Sequence, residues 1–212
     1  MPYNPNMDHK DTVKAGYNKI ADRYLAERTR DSEDVRLLEE LVTRLPKGAK
    51  ILDAGCGAGI PISQILIERF EVTGVDFSEA QIELARKNVP NASFICEDMT
   101  KLDFPANTFD GITSYYAIIH IPREEHRSLL ANFCKMLKPG GLALLCLGAD
   151  HLIDDIDENY LGTRMYWSHF DSETYLQMLK DCGFTTIWSK RVADETFQDA
   201  GHLFVLTQKD LA

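Results

Sequence analysis

Residues 50–61 read Lys-Ile-Leu-Asp-Ala-Gly-Cys-Gly-Ala-Gly-Ile-Pro, and this stretch decides the fold. A short apolar run leads into Asp53, and glycines then alternate at positions 55, 57 and 59. Alternating glycines let the backbone adopt positive φ and approach a ligand closely. Pro61 suits the first turn of a helix, where its missing N–H would have no partner. The pattern therefore predicts a strand, a tight ligand-binding turn and a helix.

The spacing of these glycines argues against a nicotinamide dinucleotide. In the dinucleotide fingerprint the third glycine follows the second by three residues, and here that position is Ile60. The spacing is instead Asp-x-Gly-x-Gly-x-Gly. A nicotinamide oxidoreductase is accordingly disfavoured.

Four further stretches follow downstream in a fixed order. Asp76 ends an apolar strand and Ser78 starts a helix in VTGVDFSEAQIELARK (72–87). Asp98 and Met99 lie in ICEDMTKLDF (95–104). The last two stretches are TFDGITSYYAIIHIP (108–122), a strand with its C-terminal loop, and MLKPGGLALLCL (136–147), a turn into a strand.

Together these motifs resemble the class I S-adenosylmethionine-dependent methyltransferases of the small-molecule type, with a methyltransferase-11/25-like domain, over about residues 12–148. The resemblance implies a Rossmann-like three-layer α/β sandwich. Its mostly parallel seven-stranded sheet would have the order 3-2-1-4-5-7-6, with the seventh strand antiparallel. It also implies S-adenosylmethionine as cofactor, S-adenosylhomocysteine as product, and a small-molecule acceptor reacting through O, N, S or C. A non-catalytic S-adenosylmethionine-binding regulatory protein is the alternative.

The resemblance also assigns the cofactor site. An acid at the end of the second strand, Asp76, is placed to hold a ribose diol. Asp98 would accept from the adenine amine, and Met99 would supply a polarizable contact. Phe77 lies either in the core or against the adenine, and Asp53 either serves the methionine ammonium or organises the loop. The predicted cofactor-binding residues are Asp53, Gly55, Cys56, Gly57, Gly59, Asp76, Phe77, Asp98, Met99, Ser114 and Tyr115.

A length of 212 residues predicts one domain over 1–212, or one domain with an elaborated lid. Strands that alternate with helices of ten to fifteen residues indicate parallel βαβ units. The parts are an N-terminal helical cap (1–48), a cofactor-binding core (49–147), a lid segment (148–170) and a C-terminal helix with a strand pair (171–212). Predicted helices are 11–29, 32–45, 60–69, 78–88, 123–137 and 171–182; predicted strands are 49–54, 71–76, 92–96, 109–116, 141–147, 184–192 and 202–208.

The acceptor is expected beneath the lid segment. A loop of this length in a compact domain is often functional, and this one carries Phe170 and three further large rings. His120 could act as a general base at the transfer point, or it could simply shape the turn at Ile121. The predicted acceptor-site residues are Tyr17, Tyr24, Tyr160, Tyr166 and Trp167.

The composition of the chain limits the kinds of molecule that it is expected to bind. The net charge of −10 argues against a nucleic-acid substrate, which needs a basic surface. Ten acidic against four basic residues in 151–200 either aid solubility or favour a cationic or neutral acceptor. The histidines and aspartates there fit no compact ligand spacing, so no metal is predicted. No apolar run is long enough for a membrane span, and no signal peptide is expected. Five scattered cysteines indicate reduced thiols and therefore a cytoplasmic protein. A monomer or a homodimer is expected.

Overall fold

The protein is described from a computed structural model that covers residues 8–193 and 201–211. Residues 1–7, 194–200 and 212 are outside the described part of the chain. The start of the predicted cap and the connection between the last two predicted strands fall in these ranges. None of the described helices is long and apolar enough to cross a membrane.

One seven-stranded sheet forms the centre of the molecule. Its order is β3-β2-β1-β4-β5-β9-β8, and β9 runs antiparallel to both of its neighbours. When only these seven strands are numbered, in chain order, β8 and β9 become strands 6 and 7, and the order is the predicted 3-2-1-4-5-7-6. Their ranges are β1 Lys50–Ala54, β2 Glu71–Asp76, β3 Ser93–Cys96, β4 Phe109–Ser114, β5 Leu137–Gly148, β8 Phe184–Ala193 and β9 Gly201–Lys209.

The helices cover both faces of this sheet, and several differ from their predicted ranges. The predicted helix 32–45 is two helices that meet at Leu37. The predicted helix 60–69 is a single short helix, and 123–137 starts with a 3₁₀ turn at Arg123–Glu125. The α-helices are α1 His9–Glu27, α2 Glu33–Arg36, α3 Leu38–Arg44, α4 Ile62–Leu66, α5 Glu79–Asn88, α6 His126–Met136 and α7 Ser172–Asp181.

The predicted lid segment is an antiparallel hairpin and not a loop. Its strands are β6 Leu152–Tyr160 and β7 Thr163–His169, which form a separate two-stranded sheet. The turn between them places Leu161 and Gly162 at positive φ, 48° and 84°. Two successive positive φ values match the right-handed twist of the flanking strands.

Helix α1 packs across this hairpin, because a small residue lets the two elements approach. A Cβ at Gly16 would lie 2.9 Å from the terminal methyl of Met165. Val13 and Ile20 pack with Met165 in one buried cluster. Helix α1 and the hairpin together lie beside the C-terminal edge of the parallel strands, which is the edge where ligands bind in such sheets.

Candidate active site

The glycine turn after β1 is held tightly against the loop after β4. Gly55 has φ of +76°, and a Cβ there would collide with the methyl group of Ala117. Gly57 also has positive φ, +53°, and an added Cβ would meet only Gln81 Oε1, at 3.6 Å. Gly55 thus permits close packing of two loops, and Gly57 adopts the conformation in which its amide donates to Asp76 at 3.0 Å.

Asp53 organises this turn through two buried hydrogen bonds. The hydroxyls of Ser63 and Thr113 donate to its two carboxylate oxygens at 2.6 and 3.0 Å. Burial raises the pKa of Asp53 to about 6, against the lowering effect of these hydroxyls. The neighbouring Cys56 thiol is buried and contacts the Gly57 carbonyl at 3.6 Å.

Asp76 ends β2 at the wall of a cavity of about 610 Å³. Its carboxylate accepts from the backbone amides of Gly57 at 3.0 Å and Ser78 at 2.9 Å. Burial raises the pKa of Asp76 to about 6. Seven of the predicted cofactor-binding residues line this cavity: Gly55, Gly57, Asp76, Phe77, Asp98, Met99 and Tyr115.

Asp98 lines this cavity too, but its oxygens are already engaged. Thr100 donates its backbone N–H and its hydroxyl to Oδ1, at 2.9 and 2.8 Å, and Lys10 Nζ lies 3.0 Å from Oδ2. Burial pushes the pKa of Asp98 up, yet these partners outweigh it and hold the pKa below its ordinary value. Lys10 also contacts Glu125 at 2.8 Å, so the first turn of α1 is tied to the adenine end predicted from the sequence.

A second cavity of about 430 Å³ lies on the other side of the glycine turn. Arg28 lines it, with its guanidinium 4.8 Å from the centre of the Tyr116 ring. The contact of Arg28 with the Asp34 carboxylate is long, 3.4 Å. Tyr115 borders both cavities and donates its hydroxyl to the Asp34 carbonyl at 3.2 Å. Arg28 is therefore the cation best placed to hold an anionic group beside the glycine turn.

Tyr17 and His120 form a hydrogen-bonded pair in the larger cavity. The Tyr17 hydroxyl lies 2.9 Å from His120 Nε2, and His120 Nδ1 lies 2.7 Å from the Tyr166 carbonyl oxygen. A carbonyl only accepts, so Nδ1 carries the proton and Nε2 accepts from Tyr17. Burial lowers the pKa of His120 to about 4, which leaves the imidazole neutral in this tautomer.

Aromatic side chains from α1 and the hairpin surround this pair. Tyr24 meets Tyr17 edge-on at 5.2 Å, and the ring of Trp167 lies 5.2 Å from that of His120. Tyr160 packs against Trp167 at 5.1 Å. These four rings are the predicted acceptor residues that the structure brings together.

Two other predicted lid rings lie elsewhere. Tyr166 stacks on His9 at 4.1 Å and donates its hydroxyl to Asp154 at 2.6 Å, so its backbone carbonyl, not its ring, meets His120. Phe170 packs against Tyr175 at 5.8 Å in the main core. The rings of Tyr166 and Phe170 therefore do not join those around His120, contrary to the expectation that all four lid rings close over the acceptor.

Comparison with known proteins supports one family. A model described as "Methyltransferase domain" matches residues 51–141. Phosphoethanolamine N-methyltransferase 1 of Arabidopsis thaliana is 35% identical over 163 residues, which are 73% of this chain and 32% of that protein. The ubiquinone biosynthesis O-methyltransferase of Coxiella burnetii is 32% identical over 111 residues, 50% of this chain and 46% of that protein. The chain thus spans about a third to a half of the length of these relatives.

Solved structures show the same fold. The 1,6-didemethyltoxoflavin N1-methyltransferase of Burkholderia thailandensis, with bound S-adenosylhomocysteine, has a TM-score of 0.73 at 19% identity and covers 99% of this chain and 92% of its own. The magnesium protoporphyrin IX methyltransferase of Synechocystis, with bound S-adenosylmethionine, has a TM-score of 0.73 at 16% identity, covering 98% and 100%.

The chain belongs to the class I S-adenosylmethionine-dependent methyltransferases. S-Adenosylmethionine is accordingly its cofactor, and the residues of the larger cavity fit it. Asp76 presents a carboxylate of the kind that holds a ribose diol, and the amide of Gln81 is buried there without a protein partner. The amides of Gly55, Gly57 and Gly59 already donate within the protein, so Arg28, which lines the smaller cavity, is the group beside the turn that could meet the carboxylate of the methionine end.

Sequence analysis missed four side chains of this methyltransferase site. Lys10, Gln81 and Tyr116 line the larger cavity and Arg28 the smaller one. Gln81 lies in the motif at 72–87, one helical turn after Ser78. This position was the only feature of the sequence that pointed to it. Among the predicted residues, Ser114 has a buried hydroxyl without a described partner and lines neither cavity.

Proposed function

We propose that the protein transfers the methyl group of S-adenosylmethionine to the nitrogen of a small amine, with Tyr17 and His120 at the point of transfer. The observation that carries this proposal is the 2.9 Å hydrogen bond between Tyr17 and His120 Nε2. That pair lines the same cavity as Gly55 and Asp76. Acceptor and cofactor would then meet in one space.

The protein contributes mainly position and exclusion of water. When bound, S-adenosylmethionine supplies a methyl group on a positively charged sulfur, whose leaving group is a neutral thioether. Acid catalysis at sulfur is therefore unnecessary, and alignment of the reacting atoms can supply most of the rate. Tyr17 and Tyr24 from α1, with Trp167 and Tyr160 from the hairpin, enclose the acceptor and keep water out.

The tyrosine–histidine pair gives the acceptor proton a route. Burial raises the pKa of Tyr17 well above its ordinary value, so its hydroxyl stays protonated and donates to neutral His120. Its oxygen lone pairs can accept a hydrogen bond from the acceptor N–H. As the nitrogen gains its methyl group, its N–H proton passes to the Tyr17 oxygen, and Tyr17 passes its own proton to His120 Nε2. The surrounding rings stabilise, through their π faces, the positive charge that develops on the nitrogen before its proton leaves.

The relatives indicate which acceptors to test first. One relative is phosphoethanolamine N-methyltransferase 1 of Arabidopsis thaliana, so a primary amine of the phosphoethanolamine type is the first candidate to test. The ubiquinone biosynthesis O-methyltransferase makes a phenolic hydroxyl the second candidate, because the Tyr17–His120 pair could receive a hydroxyl proton equally well. A non-catalytic cofactor-binding protein is the third, although it would have no need of such a pair.

Labelled methyl transfer from S-adenosylmethionine to phosphoethanolamine, ethanolamine and a simple catechol distinguishes these candidates. His120→Asn keeps a donor for the Tyr166 carbonyl but removes Nε2. We expect it and Tyr17→Phe to lower kcat by about 10²-fold or more, with little change in the S-adenosylhomocysteine Kd.

His126→Asn is the matched control. His126 is also buried and lies 2.8 Å from a tyrosine hydroxyl, that of Tyr175, but it does not line the cavity. Its replacement should lower stability and leave kcat unchanged. If His120→Asn kept the kcat of wild type, the Tyr17–His120 pair would have no role in the mechanism. If none of the acceptors gave a labelled product, the non-catalytic alternative would be favoured.

Localisation and assembly complete the proposal. The five cysteines, all in the described part of the chain, form no disulfide, which supports a reducing, cytoplasmic setting. The net charge of −10 disfavours a nucleic-acid partner. A monomer or homodimer without membrane attachment stays our prediction.

A further inference from the structure

Gln81 is a buried amide without a hydrogen-bond partner in the described part of the chain. Its residue surface is 1% exposed, and neither its Nε2 nor its Oε1 finds a partner there. Its backbone N–H donates to Ser78 Oγ at 3.2 Å at the start of α5. An unpaired buried amide costs stability, so its retention calls for a reason.

The position of Gln81 supplies that reason. Its side chain belongs to the wall of the larger cavity and points at the glycine turn, with Oε1 3.6 Å from where a Gly57 Cβ would be. The Gly57 amide in turn donates to Asp76. Gln81 and Asp76 therefore flank the same stretch of cavity wall.

The two side chains are chemically complementary. An ionised carboxylate only accepts hydrogen bonds, and Asp76 already accepts two from backbone amides. A glutamine amide both donates and accepts, and its terminal torsion is broad enough for either atom to turn toward a ligand. A vicinal diol has two hydroxyls, each of which can donate and accept, so one carboxylate alone leaves hydroxyl oxygens unpaired.

We propose that Gln81 is a second ligand of the cofactor's ribose diol and acts beside Asp76 as a cofactor-positioning residue. The proposal rests on the cofactor assigned above. It also makes the unpaired amide a feature of the ligand-free protein alone. In the ligand-free protein the unpaired Gln81 amide lowers the stability of the fold. When the cofactor is bound, the same amide has hydrogen-bond partners.

Gln81→Met tests this, because methionine fills a similar volume without polar atoms. We expect S-adenosylhomocysteine to bind about five- to tenfold more weakly by calorimetry. The ligand-free variant should melt about 2–4 °C higher, since an unpaired buried amide has been removed. A purely structural glutamine predicts the opposite sign, a lower melting temperature.

Deoxy ligands give the deciding measurement. The 2′-deoxy and the 3′-deoxy analogues of S-adenosylhomocysteine each lack one hydroxyl of the diol. Wild type and Gln81→Met should bind equally to the analogue that lacks the hydroxyl contacted by Gln81, and they should differ with the other analogue. A Gln81→Met loss that is the same for all three ligands would overturn the proposal, as would a variant that is less stable than wild type.

Gln177→Met is the control, since that amide lies on α7 and donates to Asp181 at 2.7 Å far along the chain. It should leave the Kd unchanged. If wild type itself failed to bind S-adenosylhomocysteine, the cofactor site would be wrong. If wild type bound S-adenosylhomocysteine and Gln81→Met bound it with the same Kd, the cofactor site would stand and only the proposed role of Gln81 would be wrong.

Discussion

Asp53 and Asp76 show how hydrogen-bond partners separate two carboxylates that look equivalent in the sequence. Each ends a parallel strand, and burial raises the pKa of each to about 6. The partners of Asp53 are the side-chain hydroxyls of Ser63 and Thr113, which stitch β1 to α4 and β4. The partners of Asp76 are loop amides, which leaves its outer lone pairs toward the cavity. Only Asp76 is therefore expected to respond directly to the cofactor.

This difference predicts a pH dependence of cofactor binding. Ribose hydroxyls donate to the ionised carboxylate, so binding should lower the pKa of Asp76 below its free value of about 6. The affinity for S-adenosylhomocysteine should then rise as pH increases toward 6 and level off above about 7. Calorimetry from pH 5 to 8 in two buffers of different ionisation heat measures both the Kd and the proton released.

Asp76→Asn is the control for that experiment. It should bind more weakly at every pH and show a flat profile. A pH dependence that survives in Asp76→Asn would assign the titration to Asp53, and a flat wild-type profile would contradict the role of Asp76.

At the residue scale, the sequence predicts a residue's place in the fold where the motif requires a particular backbone conformation. Gly55, Gly57 and Asp76 occupy strand ends and turns whose geometry the motif itself specifies. Lys10 and Arg28 could not be found this way, because each is one more cation on the polar face of a helix or just beyond it. Their contacts with Asp98 and Tyr116 exist only after α1 has docked on the sheet.

At the scale of elements, the parallel strands were predictable and the hairpin was not. Strand β5 contains a continuous apolar run at 142–147, and the shorter apolar run of β1 ends at Asp53 before the glycine turn. β6 instead contains Asp154, Asp155 and Asp157 in one stretch, and such residues are depleted in strands. Its turn, Leu161–Gly162, also lacks the asparagine or aspartate usual before glycine. Packing against α1 overrides these local preferences.

The hairpin carries a prediction about the acceptor. Trp167 packs against His120 and Tyr160 without lining either cavity, so Trp167→Ala should remove the ring that supports His120 beside the acceptor. We expect kcat/KM for the acceptor to fall about tenfold or more, since truncating a well-packed aromatic ring typically costs at least 2 kcal/mol at a binding site. The Kd of S-adenosylhomocysteine should change little.

Phe170→Ala is the matched control from the same segment. Because Phe170 packs against Tyr175 in the main core, its loss should lower the melting temperature and spare the acceptor kinetics. If Trp167→Ala behaved like Phe170→Ala, the Trp167 ring would be structural and the acceptor site would lie elsewhere.

At the scale of the whole molecule, α1 joins parts that are distant in sequence. Lys10 binds Asp98 after β3, and Asn18 accepts from the Ser78 hydroxyl at 2.6 Å at the start of α5. Lys19 donates to the Gly162 carbonyl at 2.8 Å in the hairpin turn. The elements that line the cavity are thereby held by one helix, so occupation of the cavity should stabilise the fold as a unit.

Thermal unfolding with and without ligand measures this coupling. A ligand that binds only the folded state at about 100 times its Kd adds about 2.7 kcal/mol to the free energy of unfolding. For a chain of this size, that corresponds to a rise in melting temperature of about 5–10 °C. We expect S-adenosylhomocysteine to produce this rise in a single transition. NADH should produce none, because Ile60 replaces the glycine that the dinucleotide turn requires. A comparable rise with NADH, or two separate transitions with S-adenosylhomocysteine, would contradict a cavity assembled by α1 around this cofactor.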